Sequence, residues 1–172
     1  MPIHKKGAKT ACENYRGISL LVIAGKILTA VIRARLSDHY EANAREAQAG
    51  FRRGRGCTDQ VFALRQICER RIRNNRRFFA LFVDFRAAFD SIHRESHWKC
   101  LLISGVPRKI VNLLATLYEG NSNRVRAYGE LSRPFEVTTG VRQGCIISPC
   151  LFNIVLDWIL RKAIPDGRGC GN

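Results

Sequence analysis

The stretch FVDFRAAFDS, residues 82–91, ends an apolar run on Asp84 and follows it six positions later with Asp90. The longer run RRFFALFVDF, residues 76–85, is continuous, apolar, rich in aromatics and of strand length. It reads as a strand buried on both faces. A buried strand that ends on an aspartate puts the carboxylate at a sheet edge, where it can hold a divalent cation while substrate phosphates fill the remaining positions. Side chains alternate along a strand, so Asp84 faces one way and Phe85 the other. Asp90 lies past the strand, beside Ser91 and ahead of HRESHWKCLL, where a helix N-cap belongs. Asp84 is then the metal candidate and Asp90 a cap. On spacing alone the alternative, that both are turn and cap residues, stays open.

Working outward, the chain alternates helices with a few strands, the pattern of an α+β domain. PIHKKGAKTACENYRG is polar and basic and reads as a hairpin or loop. Residues 18–40 have helical periodicity, with Leu21, Leu28, Val31 and Ile32 on one face. QAGFRRGRGCTDQ is a glycine-broken basic loop; Thr58 can cap a helix in which Val61, Leu64, Cys68 and Ile72 share a face. Helices are expected over 94–103 and 108–119, separated by Gly105, with Pro107 at the start of the second. NRVRAYGELSRPFEVTTG alternates and turns near Gly129-Glu130, a hairpin. The last helix starts near Ser148-Pro149, and the tail PDGRGCGN is breaker composition.

With 172 residues and 46% hydrophobic content, the chain can build one real core. The 29 Lys+Arg against 14 Asp+Glu leave a formal +15, concentrated between Arg45 and Arg77 and mostly arginine. That balance calls for a polyanion, and forked guanidinium contacts suit nucleic-acid phosphates. The seven cysteines have no C-x-x-C spacing, which argues against a zinc site or a disulfide framework and for a reducing, intracellular compartment. Neither a signal peptide nor a membrane span is legible: Lys26 interrupts one apolar stretch, Pro149 and Asp157 the other. AGK at residues 24–26 is no phosphate loop, because Gly17 is too far back and Ile27 stands where Ser or Thr is required.

Four segments together resemble a known family. FVDFRAAFDS resembles motif A of reverse transcriptases. GVRQGCIISPCLFNIVLD is similar to their motif B, whose Q-G-x-x-x-S-P core is present as Gln143, Gly144, Ser148 and Pro149. NYRGISLL resembles the fingers segment, and QAGFRRGRGCTDQ the stretch that follows it in non-LTR (LINE-type) retrotransposon enzymes. The resemblance implies the fingers (about 1–77) and part of the palm (about 78–172) of a right-hand polymerase. The parent's function would be RNA-directed DNA synthesis on an RNA template and DNA primer, using dNTPs and two Mg²⁺ ions. It implies Asp84 and the Phe85 carbonyl as metal ligands. Lys5, Lys6 and Arg16 would hold the triphosphate, with Phe89 excluding a 2′-hydroxyl. Gln143 and Gly144 would line the nucleotide pocket, and Arg52, Arg53 and Arg55 would hold template or primer backbone. Phe89 as plain core, and any of the loop arginines as merely solvated, remain open.

The family's second metal-binding segment, a Tyr-x-Asp-Asp hairpin after motif B, does not occur in this sequence, and the thumb is missing as well. Asp157, inside the last helix, and Asp166 in the tail are the only aspartates after motif B. The expectation is a fragment, inactive by itself, of an enzyme working in the nucleus or cytoplasm. The alternative is a non-catalytic nucleic-acid-binding remnant of a decayed mobile element. Ile147 stands where the family usually has Leu, and Ala8 where an acidic residue is common; neither puts the resemblance in doubt.

Overall fold

The computed structural model describes residues 1–164, so the breaker-rich tail, Asp166 and Cys170 lie outside the described residues. Strands β1 (Pro2–His4) and β2 (Tyr15–Gly17) form an antiparallel hairpin, as the polar N-terminal stretch suggests. Five helices follow among the described residues: α1 (Ile23–Asn43), α2 (Cys57–Arg73), α3 (Arg94–Ile103), α4 (Arg108–Tyr118) and α5 (Ser148–Ala163). Between α4 and α5, β3 (Ser122–Asn123) pairs with β6 (Phe135–Glu136), and β4 (Arg126–Ala127) with β5 (Glu130–Leu131), in one long hairpin.

Helix α5 is the hub. Its buried Leu151 and Ile154 meet Ile32, Leu36 and Tyr40 of α1 on one side and Leu101 of α3 on the other, with Val111, Leu114 and Tyr118 of α4 completing the core. Pro149 suits the first turn of α5 because its missing N–H would have no helical partner there. In α1 the buried stripe is Thr29, Ile32, Leu36 and Tyr40: of the expected face Ile32 is buried and Leu21 packs against the core, but Leu28 and Val31 are exposed. The helix also begins later, at Ile23, which leaves Leu21 in the extended entry segment. Thr29 is tolerated in the core because its hydroxyl donates back to the Gly25 and Lys26 carbonyls, at 2.8 and 3.0 Å.

Three other expectations are corrected. The apolar run at 76–85 has no regular secondary structure and joins no sheet among the described residues, and Phe79, Leu81 and Phe82 are at least 80% exposed. A strand exists only against a neighbour. None of the described strands pairs with it, so its composition is that of a central strand while its side chains are exposed. Asp90 caps nothing: α3 starts at Arg94, and its N-cap is His93, whose Nδ1 accepts from the Ser96 N–H at 3.4 Å. Helix α2 has the expected periodicity but no buried residue, and Gly56 rather than Thr58 caps it, with the Asp59 carboxylate accepting from the Gly56 N–H at 2.8 Å.

Candidate functional site

Three of the four motif-bearing segments meet at one groove of about 690 Å³. Its walls come from residues 17–22 after β2, from Asp90, from the loop 137–143 before α5, and from the β3–β6 hairpin. Two glycines make the closure possible. Gly144 has φ +98°, and a Cβ there would stand 2.9 Å from Ile18 Cγ2 and 3.0 Å from the Ser19 carbonyl oxygen. Gly140 has φ +76°, and a Cβ there would meet the Asp90 backbone and the Phe89 carbonyl at 2.8 Å. Only glycine permits both the torsion and the approach. Backbone hydrogen bonds then close the junction: Ser19 N–H to the Gln143 carbonyl (2.7 Å), Val141 N–H to the Phe89 carbonyl (2.8 Å), and Gly140 N–H to the Ile92 carbonyl (2.7 Å).

Two arginines with no assigned role hold this loop in place. The Arg94 guanidinium donates to the carbonyls of Val137, Thr139 and Gly140 at 2.6, 3.1 and 3.0 Å and to the Tyr118 carbonyl at 3.3 Å. Arg142 donates to the Leu117 carbonyl at 3.0 Å and to the Asn121 side chain. Both guanidinium carbons lie over the Tyr118 ring, 5.2 and 5.0 Å from its centroid, at cation–π distance. Burial lowers the Arg94 pKa and raises that of Tyr118, whose hydroxyl the Ser148 hydroxyl meets at 3.4 Å. Helix periodicity could not single out Arg94, because its partners are backbone carbonyls remote in sequence.

Gln143 lines the groove and Gly144 adjoins it. Phe89 is half-buried, stacked on Phe152 of α5 with ring centroids 5.1 Å apart and planes at 26°. Arg16 is exposed on β2 opposite Ile3, one residue before the groove wall begins, and Lys5 and Lys6 are exposed in the β1–β2 connection. Asp84 and Phe85 are exposed on the unpaired segment and do not line the groove, whereas Asp90 does.

The loop arginines divide. Arg52 has a side chain only 6% exposed: Nε and Nη2 hold Glu41 at 3.0 and 2.8 Å, and Nη1 donates to the Arg45 and Gln48 carbonyls at 2.9 and 3.0 Å. The hydrogen bonds to Glu41 raise its pKa. With four of its five N–H donors engaged, Arg52 holds the loop. Arg55 pairs with Glu46, and Arg53 is exposed, its side chain without a hydrogen bond or ion pair among the described residues. The loop itself is pinned to α5 by the buried Asn153, which donates to the Gly50 carbonyl at 2.6 Å and accepts from the Gln48 amide at 3.3 Å.

Among the described residues no three His, Cys, Asp or Glu side chains gather as a metal site. Asp84 therefore brings one carboxylate where a two-metal centre needs several, and the described residues do not fit that centre by themselves. A smaller cavity of about 250 Å³ between α1, the end of α3 and α5 is lined by Tyr40, Asp157 and Arg161 and by none of the candidate residues. Burial, and next the Asp157 charge, push the Tyr40 pKa up to about 12.

A groove joining basic and glycine-bearing loops on a mixed helix and strand frame fits a polymerase fold. The family described as "Reverse transcriptase (RNA-dependent DNA polymerase)" matches residues 3–166. The chain belongs to the reverse transcriptase family. It is 30% identical over 161 residues to the Retrovirus-related Pol polyprotein from type-2 retrotransposable element R2DM of Drosophila melanogaster, covering 93% of this chain and 15% of that protein. It is 30% identical over 159 residues to the Probable RNA-directed DNA polymerase from transposon BS of the same fly, covering 88% of this chain and 17% of the relative. An R2 polyprotein of Nasonia vitripennis is 24% identical over 155 residues, covering 90% of this chain and 15% of that protein. These relatives are non-LTR retrotransposon proteins, and the chain spans about a sixth of their length.

Proposed function

We propose that the chain supplies the fingers (about 1–77) and the first part of the palm (about 78–172) of a retrotransposon RNA-directed DNA polymerase. The observation that carries this reading is the meeting of residues 17–22, Asp90 and Gln143 in one groove, because these come from three of the four resembling segments. In the reaction a primer 3′-hydroxyl would attack the α-phosphate of a dNTP and displace pyrophosphate, and divalent metal held at the motif A carboxylate, with ligands from elsewhere, would supply the positive charge this transfer needs. Asp84 and the Phe85 carbonyl supply one part of that ligand set, and a Tyr-x-Asp-Asp segment of the parent the rest. That segment also gives the 76–85 run the strand neighbour it needs. Gln143 and the Gly144 backbone shape the nucleotide pocket. Phe89, braced on Phe152, is a rigid platform under the sugar. Arg16 with Lys5 and Lys6 neutralises the triphosphate, and Arg53 and Arg55 hold template or primer phosphates, Arg55 by exchanging Glu46 for phosphate. RNA, DNA and dNTP are thus the partners, in the nucleus or cytoplasm; no described helix is long and apolar enough to cross a membrane.

For the chain by itself a second reading, nucleic-acid binding without catalysis, is favoured by the lack of a gathered metal site among the described residues. A chimera joining this chain to the following segment and thumb of a relative tests the first reading by primer extension on RNA with Mg²⁺. Extension that Gln143→Ala weakens supports it; a folded chimera with no extension rejects it.

A further inference from the structure

The hairpin between α4 and α5 carries an aromatic that the fold does not use. Tyr128 and Gly129 form its two-residue turn with φ +52° and +87°, the torsions of a type I′ turn. Asn, Asp or Gly are the residues that adopt the first of these positions readily, yet here it is a tyrosine whose side chain is fully exposed. Neither burial nor a side-chain partner among the described residues compensates the torsion. The tip is rigidly held below. Residues pair as Ala127 with Glu130 and Arg126 with Leu131, and Val125 is tied to Ser132 by two 2.9 Å hydrogen bonds.

Charge is arranged along the same hairpin. Arg124 and Arg126 are two apart, so they share a face, and both line the groove with Gln143. Neither side chain makes a hydrogen bond or ion pair among the described residues, and both residues are exposed. Glu130, the carboxylate nearest the tip, pairs with Ala127 and so belongs to the opposite face. A free aromatic ahead of a row of free guanidiniums is the arrangement that grips a single strand: rings stack on bases and arginines follow the phosphates.

We propose that this hairpin is a single-strand clamp, in which Tyr128 stacks on an unpaired base while Arg124 and Arg126 bind phosphates of the strand entering the groove. It rests on the polymerase reading, and it assigns contacts that the motif residues do not provide. The test measures affinity of the chain for a short single-stranded RNA, its DNA counterpart and a blunt RNA duplex, across a salt series. Tyr128→Ala lowers single-strand affinity about tenfold, the scale of one base stack. It leaves the salt slope and the duplex affinity within twofold, and Tyr128→Phe restores binding. Arg124→Ala with Arg126→Ala instead flattens the single-strand slope by about 1.4, the release expected from two phosphate contacts. RNA and DNA behave alike if the base is what is held. Single-strand binding by Tyr128→Ala equal to wild type, or an equal loss on duplex, overturns the clamp while leaving the polymerase reading standing. A wild-type chain that binds no nucleic acid overturns both.

Discussion

Asp90 and Arg52 show how a residue's partners decide its role. Asp90 accepts no capping hydrogen bond, since His93 holds that position, and its carboxylate lines the groove. Asp90→Ala should therefore change stability by less than about 0.5 kcal/mol, below the roughly 1 kcal/mol of a lost cap. Chemical denaturation of the two proteins measures this, and a loss of cap size would return Asp90 to a structural role. Arg52 and Arg53 are neighbours with opposite fates. Arg52→Ala strands Glu41 and two loop carbonyls and should cost about 1–3 kcal/mol of stability with the salt slope for duplex DNA unchanged. Arg53→Ala should leave stability alone and flatten that slope by about 0.9, one phosphate's worth. Thermal melts paired with salt titrations separate them; the reverse pattern would put the binding face on Arg52.

At the level of elements, the α3–α5 contact contains a pH-sensitive group. His97 of α3 is 1% exposed, neither ring nitrogen has a hydrogen-bond partner, and burial pushes its pKa down to about 4, opposed weakly by the Leu151 backbone. The unfolded chain takes up this proton near pH 6.5 and the folded chain only near 4. Stability should then fall as pH drops through that window, by roughly 3 kcal/mol in total, and stay flat above it for this group. His97→Gln should remove most of the slope between pH 7 and 4.5 in denaturant midpoints; an unchanged slope would assign it to other groups. What the sequence discloses at this scale follows from locality. Helix α3 spans the expected residues and α4 ends one residue early, because caps and periodicity are local signals. The hairpin turn is legible for the same reason, though it falls at Tyr128-Gly129, one residue before the expected Gly129-Glu130. The 76–85 strand is not, because pairing depends on a neighbour that periodicity cannot name, and the α1 stripe shifted because α5 decides which face is covered. Of the site, the motif B glutamine and glycine came from the resemblance to motif B, and the structure puts Gln143 in the groove wall. Arg94, Arg142 and Asn153 were not legible, because each acts on backbone far away in sequence.

Over the whole molecule, two surfaces require something the described residues do not contain. Helix α2 buries none of its side chains, and the adjoining run 76–85 presents Phe79, Leu81, Phe82 and Val83 to solvent. Apolar area on this scale on one side of a +15 chain is an association surface. It lies directly beside Asp84, so whatever covers the run also determines whether that carboxylate meets others. A hairpin that pairs with 76–85 and carries further carboxylates would bury the aromatics and assemble the metal ligands in one step, which couples folding of the sheet edge to catalysis. Two results should follow. The chain alone should bind an apolar dye strongly and show no template-dependent primer extension with Mg²⁺ and dNTPs. Joined to the Tyr-x-Asp-Asp segment and thumb of a relative, it should lose most dye binding and gain extension. In that chimera Asp84→Asn should abolish extension with the dye signal still low, because an isosteric amide keeps the strand but removes an anionic ligand. Asp90→Asn should retain most of the activity. Equal loss in both variants would make Asp90 a second metal ligand. Extension by the unextended chain would mean that its own residues complete the metal centre.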